Sequence, residues 1–172
     1  MSEKALFEML TALAVTVRER AYAPYSSYKV GAAIATASGK FYVGCNVENA
    51  SYGGTVCAER GAIMQMIAAG EREPIALVVT TEGDEPASPC GFCRQVLSEF
   101  AIDMPILLVG VSGKNIVSKR RTKLAKLLPM AFRKDTLQTA QKRVKKALTT
   151  VGDAKGKTKL KPAVKPALKK AR

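Results

Sequence analysis

The apolar positions along the chain change period several times, and each change marks an element. Leu6, Met9, Leu10, Leu13 and Val17 recur at helical spacing within residues 3–19 and predict a helix with that face turned to a core. Residues 28–37 (YKVGAAIATA) and 40–47 (KFYVGCNV) read as two strands, and Ser38-Gly39 between them suits a hairpin turn. Residues 21–27, with Pro24, and 49–54 (NASYGG) read as loops. Helical spacing returns over 56–69, with Gly70 placed to end the helix. Residues 75–81 (IALVVTT) form a continuous β-branched run, as in a strand buried on both faces. After a polar loop ending in Pro89 come a helix over 90–100, a buried strand over 105–109, a short edge strand over 115–118 and a short helix over 123–128.

This order is a helix, two strands, then strand and helix in alternation. It predicts an α/β fold: a three-layer α-β-α sandwich around a mixed sheet of about five strands. Such folds gather loops and helix starts at one end of the sheet, and chemistry is expected there.

Charge divides the chain. Residues 1–138 hold 16 Lys and Arg against 13 Asp and Glu, whereas residues 139–172 hold 12 against Asp153 alone. Residues 1–138 are therefore expected to form the globular domain, and residues 139–172 a basic C-terminal extension. A thin apolar stripe (Leu137, Val144, Leu148) predicts a terminal helix over 135–148. From about Gly152 the Lys/Pro/Ala-rich sequence lacks the apolar side chains that would offset the entropy of ordering it, and disorder is expected. No run approaches the ~20 apolar residues of a membrane helix, and the N-terminus shows no signal-peptide pattern, so a cytoplasmic location without membrane contact is expected.

The 172 residues include no histidine, which excludes a His general base, a Ser-His-Asp triad and His-ligated metals. Four cysteines remain: Cys45, Cys57, Cys90 and Cys93. Pro89-Cys90-Gly91-Phe92-Cys93 alone fits a redox pair, a structural zinc knuckle or two buried small residues. With Cys57 it offers three soft ligands, and a zinc site with three protein ligands keeps its fourth position open for water. Cys45 reads either as a fourth ligand that would make the site structural or as a core residue. Glu59 lies two residues after Cys57, so both reach one metal only if Cys57 precedes the first helical turn. Thr55 is the expected cap of that helix. A carboxylate so placed can take a proton from water and return it to a substrate, or merely favour the helix dipole. Arg60 reads as a cation that draws density from the sulfurs or as a surface charge.

Cys57-Ala58-Glu59-Arg60 together with Pro89-Cys90-Gly91-Phe92-Cys93-Arg94-Gln95 resembles the zinc site of the homotetrameric cytidine deaminases. The resemblance extends to Ala23-Pro24-Tyr25-Ser26, Val30-Gly31-Ala32-Ala33, the segment Gly44 to Tyr52, and Leu127 to Phe132, covering roughly residues 5–138. It implies a cytidine deaminase-like fold and one Zn²⁺ per subunit on Cys57, Cys90 and Cys93, with Glu59 as proton carrier. It implies that Asn46 and Glu48 hold ribose hydroxyls, that Tyr28 and Ala58 line the nucleoside site, and that Tyr52 and Phe132 reach across subunits of a tetramer with shared active sites. Arg60 and Gln95 then support the cysteines from behind.

The activity so implied is hydrolytic deamination of cytidine and deoxycytidine to uridine and deoxyuridine plus ammonia, in pyrimidine salvage. A blasticidin-type deaminase is the enzyme rival, since it shares CxE and PCxxC. The basic extension, about which the resemblance says nothing, reads as a solvated tail, as a segment making non-specific nucleic-acid contacts, or as one that brings a polynucleotide to the enzyme for editing.

Overall fold

The computed structural model describes residues 1–153, with side chains of the last helix described up to residue 147. The chain divides into two compact units, Met1–Arg133 and Lys134–Arg172. In the first, α1 (Glu3–Arg18) leads into a hairpin of β1 (Val30–Thr36) and β2 (Phe41–Cys45). A short 3-10 turn (Tyr52–Gly54) precedes α2 (Ala58–Ala68), followed by β3 (Pro74–Glu82), α3 (Gly91–Ser98), β4 (Pro105–Ser112), β5 (Asn115–Lys123) and α4 (Leu124–Leu127). In the second unit α5 spans Lys134–Asp153. The disorder expected for the terminal Lys/Pro/Ala stretch falls almost wholly on 154–172, outside the described residues. Among the described residues no helix is long and apolar enough to cross a membrane.

The five strands form one sheet in the order β2-β1-β3-β4-β5. β3 and β4 run parallel, joined through α3, and the other neighbours are antiparallel. Strand parity separates two cores. Ala33, Ala35, Ala76, Val78, Leu107 and Val109 pack with Phe7, Leu10 and Ala14 of α1. Ala32, Ile34, Leu77, Val79, Ile106 and Leu108 pack on the opposite face with Ala62, Met66 and Leu97 of α2 and α3. Strands lined on both faces in this way read as continuous apolar runs.

Small residues set the spacing of the layers. A Cβ on Gly31 would lie 2.1 Å from the Ala14 carbonyl oxygen of α1. One on Gly44 would lie 2.3 Å from the Ala58 carbonyl oxygen and 2.4 Å from the Ala62 nitrogen of α2. Helices therefore sit directly on strand backbone at both places.

The buried stripe of α1 is Phe7, Leu10, Thr11, Ala14, Val17 and Arg18. It is rotated from the expected face: Met9 is exposed, and Leu6 and Leu13 are only partly buried. The helix rests on an alanine-rich strand, which favours its own small side at Ala14 over its larger flanking residues. Strand β5 runs to Lys123, well beyond the expected end at Ser118. Its sequence NIVSKRRTK carries no apolar alternation, and pairing with β4 over its whole length defines it. The basic side chains suit an edge, where charge discourages pairing with another chain.

Candidate active site

Two helices begin at the same end of the sheet, and a cysteine stands at the start of each. Cys57 is the N-cap of α2 in extended conformation (φ −71°, ψ 157°), and Cys90 is the N-cap of α3 (φ −63°, ψ 163°). Cys57 thus precedes the first helical turn, which lets it share a site with Glu59. Thr55, expected as the cap, does not fill that position; its hydroxyl instead accepts from the Asn49 amide. The Cys93 amide donates to Cys90 Sγ at 3.5 Å, so this thiol caps the first turn of α3.

The Sγ atoms of Cys57, Cys90 and Cys93 all lie within 4.8 Å of one another, with Cys57 and Cys90 at 3.9 Å. Sulfurs bound to tetrahedral zinc at ~2.3 Å sit about 3.8 Å apart, so these thiols are already spaced to hold such an ion. Cys45 is outside the cluster. It pairs with Gly31 on β1 and shares the parity of Phe41 and Val43, which pack on the α1 face, whereas α2 and α3 cover the other. It is therefore neither a fourth member of the cluster nor fully buried.

The cluster is electrostatically tuned. The Cys93 thiol donating to Cys57, helped by the Arg60 guanidinium, holds Cys57 down at about 5 against the opposing effect of burial. The same bond, with burial, pushes Cys93 up. Arg60 Nη2 donates to Cys57 Sγ at 3.6 Å and to the Thr55 carbonyl at 2.5 Å, and the guanidinium stacks 4.6 Å from the Phe92 ring centroid. Glu59 is only 3% exposed. Burial first, and then the charge on Cys57, raises its carboxyl above the ordinary range. A buried carboxyl of raised proton affinity beside these sulfurs can take up a proton and return it.

A cleft of about 470 Å³ opens over this group. Cys57, Cys90 and Glu59 line it together with Tyr28, Asn46 and Glu48. Asn46 fixes the rim: Oδ1 accepts from the Val30 amide at 2.8 Å and Nδ2 donates to the Tyr28 carbonyl at 2.9 Å. The Glu48 carboxylate accepts from the Tyr25 amide at 2.9 Å, the Ser26 amide at 3.2 Å and the Ser26 hydroxyl. These bonds, the hydroxyl above all, hold Glu48 below the ordinary carboxylate range.

An adjoining hollow of about 370 Å³ shares Ser26, Glu48 and Thr55 and adds Tyr25 and Tyr52, whose rings meet edge-on at 6.1 Å. Ala58 is wholly buried at the start of α2. Phe132 is 56% exposed and does not line the cleft. Its backbone is gripped by Gln95, whose Nε2 donates to the Phe132 carbonyl at 2.7 Å and whose Oε1 accepts from the Phe132 amide at 3.2 Å. Sequence reasoning missed Thr81 and Ser88, which also line the cleft. The position of Thr81 near the C-terminal end of β3 was the available signal; Ser88 gave none.

Comparison with known proteins agrees with this geometry. The family model for the cytidine and deoxycytidylate deaminase zinc-binding region matches residues 5–109. The cytidine deaminase of Sporosarcina psychrophila is 44% identical over 134 residues, covering 77% of this chain and 96% of that protein. The Mycobacterium tuberculosis cytidine deaminase is 38% identical over 136 residues, covering 76% and 92%. The crystal structure of the cytidine deaminase from Burkholderia pseudomallei superposes with a TM-score of 0.66 at 45% identity, over 77% of this chain and 100% of that one. The family model spans residues 5–109, which hold Cys57, Glu59, Cys90 and Cys93, and this chain belongs to the cytidine and deoxycytidylate deaminase family.

Proposed function

We propose that the protein is a zinc-dependent enzyme that hydrolyses the C4 amine of cytidine and deoxycytidine, releasing uridine or deoxyuridine and ammonia. The observation that carries this reading is Glu59, buried and lining the same cleft as Cys57 and Cys90. Cys57, Cys90 and Cys93 would hold one Zn²⁺ per subunit. When bound, zinc supplies the Lewis acidity that makes a water molecule nucleophilic at neutral pH.

Glu59 takes the proton that this water gives up and delivers it to ring N3 as oxygen adds to C4. It then passes the remaining water proton to the amine, which leaves as ammonia while the C4 carbonyl forms. Burial suits Glu59 to both duties, since a carboxyl of raised proton affinity accepts readily and stays shielded from solvent. Arg60, donating to Cys57 Sγ, withdraws charge from a three-thiolate set that would otherwise blunt the metal's acidity.

Asn46 and Glu48 are assigned to the ribose hydroxyls, with Tyr28 and Ala58 beside the nucleoside. Tyr52 and Phe132 serve a neighbouring subunit's site in a homotetramer; their high exposure in the single chain supports that assignment. Residues 1–138 form the catalytic domain in this reading, working in the cytoplasm in pyrimidine salvage.

The test follows cytidine absorbance with protein of measured zinc content, beside the Glu59→Gln variant. Turnover by the parent and near-total loss in a variant that still binds zinc are expected. Undiminished turnover in the variant would refute the assignment of Glu59.

A further inference from the structure

We propose that residues 134–172 are a docking segment for the phosphate backbone of duplex nucleic acid, read without regard to base sequence. The inference stands apart from the catalytic reading, because it rests on the charge and composition of residues 134–172 and on no residue assigned to the reaction.

Charge is the first observation. This segment holds thirteen Lys and Arg against Asp135 and Asp153. The family model ends at residue 109, and the Sporosarcina and Burkholderia proteins each match only 77% of this chain. The basicity is thus not a general property of the chain, since residues 1–138 carry a net of only +3.

The described part of the segment presents this charge in a fixed form. Helix α5 bears Lys142, Arg143, Lys145 and Lys146 within about a turn and a half, all on exposed positions. Eight more cations follow at Lys155, Lys157, Lys159, Lys161, Lys165, Lys169, Lys170 and Arg172, with no acid after Asp153. A polyanion of regular charge spacing is the complementary partner.

Side-chain types then select among polyanions. Residues 134–172 contain no Phe, Tyr or Trp. Single strands are held largely by stacking bases on aromatic rings, which this segment does not have. Helices that lie on membranes bury a broad apolar face with Trp, Phe or Leu. The large apolar residues in the sequence of α5 are Leu137, Val144, Leu148 and Val151, a single narrow stripe at helical spacing without Phe or Trp. What is left is contact with duplex phosphates, which fixes position and carries no sequence information.

The experiment uses the full, zinc-loaded chain and a fluorescent DNA duplex of arbitrary sequence, titrated across salt. If about six of the cations meet phosphates, the slope of log Kobs against log salt is about −5, so binding weakens about 10³-fold between roughly 50 and 200 mM. Replacing Lys142, Arg143, Lys145 and Lys146 by Gln should flatten the slope by up to about 3.6, equally on unrelated sequences. A second variant with Lys155, Lys157, Lys159 and Lys161 replaced by Gln should flatten it too. Unchanged cytidine turnover in both variants shows that the catalytic unit is intact. A slope shallower than about −2, or one that neither variant alters, would overturn the proposal. Tighter binding to phosphatidylserine vesicles than to the duplex at equal salt would overturn it in favour of a membrane surface. Absence of cytidine turnover with duplex binding intact would sink the catalytic reading and leave this one standing.

Discussion

Helix α2 carries Glu59 and is capped by Cys57, so whatever seats that helix also sets the metal cluster. The contact has two glycines, one on each side, and they predict opposite outcomes. On the strand side, the Cβ introduced by Gly44→Ala would meet the Ala58 carbonyl oxygen at 2.3 Å and the Ala62 nitrogen at 2.4 Å. Both are backbone atoms and neither can rotate away. Ordinary contact begins at 3.4 Å, so the helix must retreat by about 1 Å. Overpacking of this kind costs about 1–3 kcal/mol, and rigid obstacles place Gly44→Ala near the upper end. That corresponds to a fall in Tm of roughly 6–12 °C. Displacing Glu59, the proposed proton carrier, by ~1 Å should also lower kcat by about 10²-fold.

On the helix side, a Cβ at Gly61 would find Gly44 Cα at 3.5 Å and the Cys45 carbonyl oxygen at 3.6 Å, both ordinary contacts. Gly61→Ala should therefore be neutral or stabilising by up to about 1 kcal/mol, because alanine is the better helix former. Urea unfolding of the two metal-loaded variants, with turnover measured on the same samples, checks the pair. Equal stability changes in the two variants, or a Gly44→Ala protein within about 0.5 kcal/mol of the parent, would refute the claim that close backbone approach seats the helix.

Gln95→Leu removes both bonds to the Phe132 backbone and should raise KM for cytidine roughly tenfold, worth about 1–2 kcal/mol, with zinc content unchanged. A normal KM would show that Phe132 does not cover the base. The Glu48 carboxyl lies below its ordinary value of 4.5, so its hold on the Tyr25–Ser26 turn is complete above that value and is lost only as pH falls through the lower, folded one. Amide exchange at Tyr25 and Ser26 should report that loss, and Ser26→Ala should move it to higher pH; no movement would show that the hydroxyl is not the main influence.

Much of this architecture was legible because the pattern was unambiguous where burial is two-sided. Residues 75–81 could hardly be anything but a central strand, and β3 spans Pro74–Glu82. The three cysteines were legible by type and spacing, since a thiol pair three apart at a helix start converges on its own. What escaped was decided by tertiary contact. The true face of α1 depends on Gly31 and the alanines beneath it, which its own periodicity does not encode. The length of β5 comes from hydrogen bonds to β4, with no alternation to announce it. Gln95 looked like a neighbour of the cysteines, and only the fold reveals that its amide grips the backbone of Phe132, 37 residues on.

The placement of Cys57 and Cys90 at two helix starts has a consequence for folding as well as for chemistry. The two residues are 33 apart in sequence and belong to opposite ends of the stretch that runs through α2 and β3. An ion shared between them closes a loop, as a disulfide would, and restricts the unfolded chain. For a loop of about 33 residues the chain-entropy relation gives roughly 3.7 kcal/mol. That is a sizeable share of the roughly 5–15 kcal/mol that typically separates folded from unfolded domains. Metal supply would then govern how long each molecule survives as well as how fast it works.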